Sequence, residues 1–315
     1  MKPRRKIAIR IFCLALFVVL IVVIFLNGMN NGNVDVVIPA GAYEVVSQAK
    51  SRDFVGEKNW EAPEAKSFST ATFAVKALAR HADAGHGLAA CELASIYIYC
   101  ASLDQEGARV QQLTLQARDD TDLSIVSKLE SSWKKKADYC LGLPPASTAK
   151  IIDYLRVSAD SGNSYAQNLY LSGVLFSGDT LGSINQLVAY RNGAEGLALQ
   201  AVGQGNVDVM LQLGDAYSGR PRASKALLYE AVRPNPARAL ALFQNALLRI
   251  DAGARGEPLR IAIGGRIKAL NASYPGLVAD NKFIPNLNNL DLSVMHSSYA
   301  RLYDPKGKSL GECRH

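Results

Sequence analysis

The sequence predicts an all-α protein, an α/α helical-repeat solenoid preceded by one N-terminal transmembrane helix. Three observations predict it. A glycine-centred segment occurs three times, as ADAGHGLAACELASIYIY at 82–99, ADSGNSYAQNLYLSGVLF at 159–176 and VGQGNVDVMLQLGDAYSG at 202–219. The middle of the chain is rich in alanine and leucine, with prolines mostly at its edges, which favours helix. The first 26 residues join a basic head to a long apolar run. At 315 residues, 49% of them hydrophobic, the chain can bury one large core or a row of small ones.

Lys2, Arg4, Arg5 and Lys6 form the head, and Ile11–Leu26 is uninterrupted apolar sequence. Counted from Ile7, with Arg10 snorkelling toward the head groups, residues 7–26 at ~1.5 Å per residue match a bilayer core of roughly 30 Å. The positive cluster precedes the span. This orientation predicts a single-pass protein of a bacterial-type inner membrane, N-terminus cytoplasmic and C-terminal domain periplasmic. A cleaved signal would have a shorter apolar core and a small-x-small site just beyond it. Ala40-Gly41-Ala42 lies far past Leu26, Asn27-Gly28-Met29 is a poor site, and Cys13 follows Phe12 inside the run, so an uncleaved anchor is preferred to cleavage. The head also accounts for most of the charge. The formal net charge is +7, and the five basic residues of 1–26, with no acids among them, leave +2 for the rest. No nucleic-acid partner is expected from so balanced a remainder.

Residues 27–68 read as a linker and surface segment: a polar exit at Asn27–Asn33, a β-branched piece at Val34–Val46, and a charged stretch at Glu57–Lys66 that contains Pro63. Helical signals begin at Ser69. The segment 69–84 places Phe73, Ala77 and Ala84, with neighbouring alanines, on one face. Gly85 supplies the stop, because glycine adopts the left-handed conformation cheaply. Ala89, Leu93 and Tyr97 then form a stripe at i, i+4, i+8. Between Cys100 and Pro144 the pattern loosens into an irregular insertion at about 101–144. There Asp119, Asp120 and Asp122 mark a turn, Leu123–Lys136 makes an amphipathic helix, and Lys134-Lys135-Lys136 reads as a solvated helix end.

The helical period resumes at Ser147, an N-cap, with Ile151, Tyr154, Leu155 and Ala159. Gly162-Asn163 turns the chain, Ala166, Tyr170 and Val174 continue the stripe, and Gly178 ends it. The third pair runs Leu187–Val202, Gly205, the cap Asn206, then Val209, Leu213 and Tyr217. Asn235-Pro236 opens a further helix with Leu240, Phe243, Leu247 and Ile250 buried, and a glycine-bearing stop comes at Gly253–Gly256. Residues 257–315 read as a C-terminal helix and an irregular capping tail. In it Pro275, Pro285, Pro305 and the asparagines of 286–289 break regular structure, while Leu287, Leu290, Leu292 and Tyr303 remain to be buried.

The glycine spacings, 77 from Gly85 to Gly162 and 43 from Gly162 to Gly205, suggest stacked helix pairs with a degenerate or replaced unit inside the longer interval. At these residues the sequence resembles the Sel-one-like repeat, a relative of the tetratricopeptide repeat. Ala201, Gly205, Asn206, Val209, Leu213, Gly214, Tyr217 and Gly219 fall on that family's pattern, as do Ala82, Gly85, Ala89, Leu93, Ala94 and Tyr97. His86 and Gly87 depart from it, and the copy at Gly162 has Tyr170 and Leu171 at the Leu-Gly positions. The resemblance covers roughly 69–256. It implies a solenoid used for protein interaction, with Gly85, Leu93, Tyr97, Gly162, Ala166, Gly205, Leu213, Gly214 and Tyr217 as turn and packing positions, and it brings no catalytic residues.

In an exported domain Cys91, Cys100, Cys140 and Cys313 meet an oxidising compartment and allow three pairings. Cys100 and Cys140 bracket the insertion and are the favoured pair. Cys91 reads as a small buried residue. No nucleophile elbow, zincin motif, phosphate loop or dinucleotide fingerprint is present. His81 and His86 lie five apart across a turn without carboxylate or cysteine partners, and Asp119–Asp122 lacks the glycine and terminal glutamate of a calcium loop, so no metal is expected. Glu92 and Glu130 read as exposed helix glutamates. The expected function is therefore a membrane-anchored scaffold or adaptor, of the immunity or assembly-factor kind. It would bind an unidentified protein partner in the periplasm, with no catalytic residues, cofactor or small-molecule ligand. The alternative is a cell-wall glycan or peptide cleaving enzyme with its site in the insertion.

Overall fold

The computed structural model describes residues 63–219, 227–250, 256–283 and Cys313. Among these, every regular element is helical: α1 (Ala71–Asp83), α2 (Gly87–Ala101), α3 (Leu103–Gln116), α4 (Asp120–Cys140), α5 (Thr148–Asp160), α6 (Ser164–Ser172), α7 (Ile184–Gly203), α8 (Val207–Tyr217), α9 (Leu228–Ala231), α10 (Pro236–Arg249) and α11 (Glu257–Ser273), with short 3-10 turns at Ala65–Ser67 and Val174–Ser177. The expected anchor at 7–26, the linker up to residue 62 and the tail leucines Leu287, Leu290 and Leu292 lie outside the described residues. No described helix is long and apolar enough to cross a membrane.

One local device is used three times. Gly85, Gly162 and Gly205 have φ of 93°, 92° and 89°. In each turn the glycine N–H donates to the carbonyl three residues back, and the next N–H donates five residues back. The pairs are Gly85 to Ala82 with His86 to His81, Gly162 to Ala159 with Asn163 to Ser158, and Gly205 to Val202 with Asn206 to Ala201, all at 2.9–3.2 Å. This double bond pattern satisfies the last carbonyls of the first helix. The residue after each glycine then caps the second helix. His86 Nδ1, Asn163 Oδ1 and Asn206 Oδ1 accept from the N–H of Ala89, Ala166 and Val209. The residue after each glycine thus closes one helix and opens the next.

The pairs α1/α2, α5/α6, α7/α8 and α10/α11 pack in series, with α2 against α5, α6 against α7 and α8 against α10. Their core is continuous. Leu78, Leu93, Ile96, Leu155, Leu171, Leu211 and Leu213 are fully buried. Tyr190 lies 5.3 Å from Tyr170 and 5.2 Å from Phe176, ring centre to ring centre, and its hydroxyl donates to Leu171 O at 2.6 Å. At the α8–α10 crossing a Cβ on Gly214 would sit 2.8 Å from Phe243 Cε1, so the ring fills the place of a side chain.

Six expectations are corrected, three in the stack and three at the sites described below. The buried face of α1 is Ala71, Ala74, Leu78 and Ala82, while Phe73 is 60% exposed and Ala77 and Ala84 face solvent. Alanines all round α1 leave its apolar stripe ambiguous, and Leu78 is the side chain with most to gain by burial. Helix α6 stops at Ser172, not near Gly178, and Val174 is 57% exposed. Gly173 has φ 67° and is pressed on Leu227, whereas Gly178 keeps a right-handed φ of −78°. The insertion is a regular helical hairpin, α3–α4. It does not replace a unit of the stack either, because α2 packs directly on α5. Excising the 38 residues of 103–140 cuts the Gly85–Gly162 spacing from 77 to 39, near the 43 of the next interval. The fourth correction, to Lys136, belongs to the base of that hairpin.

Candidate functional site

The α3–α4 hairpin stands apart from the stack. Helix α3 buries no residue, and α4 buries Val126, Lys136 and Cys140. Asp119 starts α4 by accepting from Asp122 N at 2.8 Å, and Asp122 reaches back to Arg118 N at 3.1 Å. These acids act as caps. Trp133 lies over Gly107, where a Cβ would come within 3.1 Å of the indole, and its Nε1 donates to Leu103 O at 3.1 Å.

The base is fixed covalently and electrostatically. Cys100 at the end of α2 is bonded to Cys140 at the end of α4. Beside this bond Lys136, whose side chain is 4% exposed, donates from Nζ to Ser102 Oγ and to Glu106 Oε1, each at 2.6 Å. Its ammonium also sits 4.2 Å from the centre of the Tyr99 ring. The expected solvated lysine run is thus divided. Lys134 makes an exposed i,i+4 pair with Glu130 at 2.8 Å, while Lys136 is buried. The helical period marks the difference, since 136 shares a face with Val126, Trp133 and Cys140.

The chain enters the stack against the same base. Ala65 is fully buried. Its N–H donates to Glu92 Oε2 at 3.1 Å, and its carbonyl accepts from the Tyr139 hydroxyl at 2.9 Å. Glu92 is therefore a buried anchor for the entering backbone and not an exposed glutamate. Its neighbours one turn away, Leu88 and Ile96, are the sequence signal for that. Burial first, and the Glu92 carboxylate second, push the Tyr139 hydroxyl up to about 12, so it stays a proton donor at any physiological pH.

The turn edge carries a second fixture. Cys91, fully buried, is bonded to Cys313, which corrects its reading as an unpaired core residue. Asn163 Nδ2 donates to Cys313 O at 2.6 Å while its Oδ1 caps α6. Between the second and third turns runs a chain of amides. Gln167 Nε2 donates to Gln204 Oε1 at 2.8 Å, and Asn206 Nδ2 donates to Gln167 Oε1 at 3.1 Å. These donors and acceptors satisfy one another across adjacent pairs.

At the far end, the Tyr217 hydroxyl donates to Glu195 Oε1 at 2.6 Å, and burial, then Glu195, push it up to about 12. Arg238 lies over the rings of Phe283 and Tyr217 at 5.0 and 5.7 Å, and Asp280 N donates to Ala237 O, so segment 274–283 is laid on α8 and α10. Arg266 grips Asp215 with two nitrogens at 3.0–3.3 Å, tying α11 to α8.

Gly85, Gly162 and Gly205 make the turns, and Leu93, Ala166, Leu213 and Tyr217 are buried. Tyr97 is half-buried, and Gly214 receives Phe243. They are spread along the stack and do not converge on one point. His81 and His86 approach edge to face with ring centres 6.5 Å apart, and burial, then His81, lower the His86 pKa. Among the described residues no three His, Cys, Asp or Glu side chains are grouped to hold a metal ion. The exposed apolar side chains include Leu115, Leu123, Ile125 and Leu129 on the hairpin. No family model, no characterised protein and no solved structure matches the chain.

Proposed function

We propose that this chain is a membrane-anchored helical-repeat scaffold, an α/α solenoid of the Sel-one-like kind, that holds a protein partner in the bacterial periplasm. An immunity protein or an assembly factor fits that description. The observation that carries the reading is the threefold use of one turn, with the same two backbone bonds and the same cap at Gly85, Gly162 and Gly205. Such serial pairs build extended surface instead of an enclosed pocket. The two disulfides suit an oxidising compartment, and the basic head before residues 7–26 supports export of the chain beyond Leu26.

Affinity capture of the full chain from detergent-solubilised membranes is expected to recover a stoichiometric protein partner. Recovery of the chain alone, together with release of wall fragments in vitro, overturns the reading in favour of a wall-cleaving enzyme. A periplasm-active reporter fused after His315 is expected to be active, and a silent reporter at normal expression reverses the orientation.

A further inference from the structure

We propose that Asn163 is a positioning residue for the Cys91–Cys313 bond: its amide seats the main chain at Cys313 on the turn edge, and that seating controls the oxidation state of this one pair. The proposal goes beyond the scaffold reading and does not depend on what the chain binds. Both ends of the Asn163 amide are engaged. Its Oδ1 accepts from Ala166 N at 2.9 Å and lies 3.6 Å from Cys91 Sγ, while its Nδ2 donates to Cys313 O at 2.6 Å. One side chain therefore meets the cysteine inside the stack and the main chain of the cysteine brought to it. Both sulfurs' residues are buried there, Cys91 at 0% and Cys313 at 3% exposure.

The register of the turns shows that this amide is diverted. Asn206, in the next turn, donates from Nδ2 to Ser164 O at 3.4 Å and to Gln167 Oε1 at 3.1 Å, both on the preceding pair. Asn163 holds the same place after its own glycine, and the residue matching Ser164 in the pair before it is Gly87. Its Nδ2 goes to Cys313 O instead. The C-terminal region thus reaches α8 and α10 through segment 274–283 and the first two pairs through Cys313. Where pairs contact mainly their neighbours, such a link couples parts of the stack that do not otherwise meet.

Closure follows thiol–disulfide exchange. Cys313 forms a mixed disulfide with glutathione disulfide and releases one glutathione; the Cys91 thiolate then attacks the Cys313 sulfur and releases the second. Two thiols become one disulfide, and their two electrons and two protons leave on two molecules of glutathione. A main-chain bond that holds Cys313 beside Cys91 raises the effective concentration of one sulfur at the other, which favours the closed form.

The test is equilibration of the full chain in detergent with glutathione and glutathione disulfide, then acid quench, differential alkylation and mass spectrometry of both cysteine pairs. Asn163→Asp keeps an oxygen for the α6 cap and removes the donor. It is expected to lower the equilibrium constant for closing Cys91–Cys313 by about three- to tenfold, and to leave that for Cys100–Cys140 unchanged. Asn163→Ser, which also caps but has no amide to reach Cys313, is expected to act in the same direction. The Tm deficit of Asn163→Asp is expected to be larger in the oxidised chain than after reduction. An unchanged constant at Cys91–Cys313, or an equal fall at both pairs, overturns the proposal. Equal Tm deficits in the two redox states mark a role in the turn alone and overturn it as well.

Discussion

Gly214 gives the sharpest test of how the pairs are stacked. Replacing it with alanine places a Cβ 2.8, 3.1 and 3.2 Å from three atoms of the Phe243 ring, which is 1% exposed. Carbon contacts relax at roughly 3.5 Å or more, so the ring must retreat by about 0.7 Å into a filled core. Overpacking of that kind costs about 1–3 kcal/mol. Alanine in a helix interior gains back up to about 1 kcal/mol over glycine. Gly193, in the middle of α7, isolates the packing part, because a Cβ there meets nothing within 4 Å. Gly193→Ala should therefore stabilise by up to about 1 kcal/mol, and Gly214→Ala should fall below it by about 1–3 kcal/mol. In a domain of this size each kcal/mol moves Tm by about 2–4 °C, which thermal melts of the full chain followed by circular dichroism resolve. A Gly214→Ala protein that melts as high as Gly193→Ala would refute the close α8–α10 approach.

Non-reducing peptide mapping should find Cys100 joined to Cys140 and Cys91 to Cys313; free thiols at either pair contradict the structure. With loops of 40 and 222 residues, the chain-entropy model assigns the two bonds about 4 and about 5 kcal/mol, so Cys313→Ser should lower Tm at least as much as Cys100→Ser/Cys140→Ser. Lys136→Met should cost about 1–3 kcal/mol in denaturant unfolding, discounted because Glu106 is 43% exposed, whereas Lys134→Met should fall within about 0.5 kcal/mol. The His86 pKa is lowered on folding, chiefly by burial and then by His81, so the fold favours the neutral ring that caps α2. That stabilisation is present above the unfolded value of 6.5 and is lost as pH falls through the lowered one. His86→Asn, the residue type used at 163 and 206, should flatten the difference in Tm between pH 7.5 and pH 5, and an unchanged difference would remove His86 from that role.

The stack is legible in the sequence because its devices are local. A glycine followed by a capping residue announces both ends of a turn, and Leu93, Val209 and Leu213 recur at the helical period. The features that escape depend on which face meets a neighbour. Alanines surround α1, so its sequence offers Phe73 for a core place that Leu78 takes. Gly173 and Gly178 are equivalent as letters, and the approach of Leu227 decides between them. The hairpin reads as irregular because α3 has almost no apolar stripe, a consequence of burying nothing. Residue type alone sends Lys136 and Glu92 to solvent, although their helical neighbours place both inward. Cys313 carries no local pattern at all, since its partner lies 222 residues away.

The Cys91–Cys313 bond also sets the order of events during synthesis. Cys91 emerges early, and the adjacent helix pairs can begin to stack as they appear, since each contacts mainly its neighbours. Its partner arrives only after a further 222 residues, which at about 5–20 residues per second takes roughly 10–45 s. For that interval Cys91 is a thiol in a chain with three other cysteines, two of them, Cys100 and Cys140, synthesised within the next 49 residues. A Cys100–Cys140 bond closed within that interval occupies the two sulfurs nearest Cys91 in sequence before Cys313 exists.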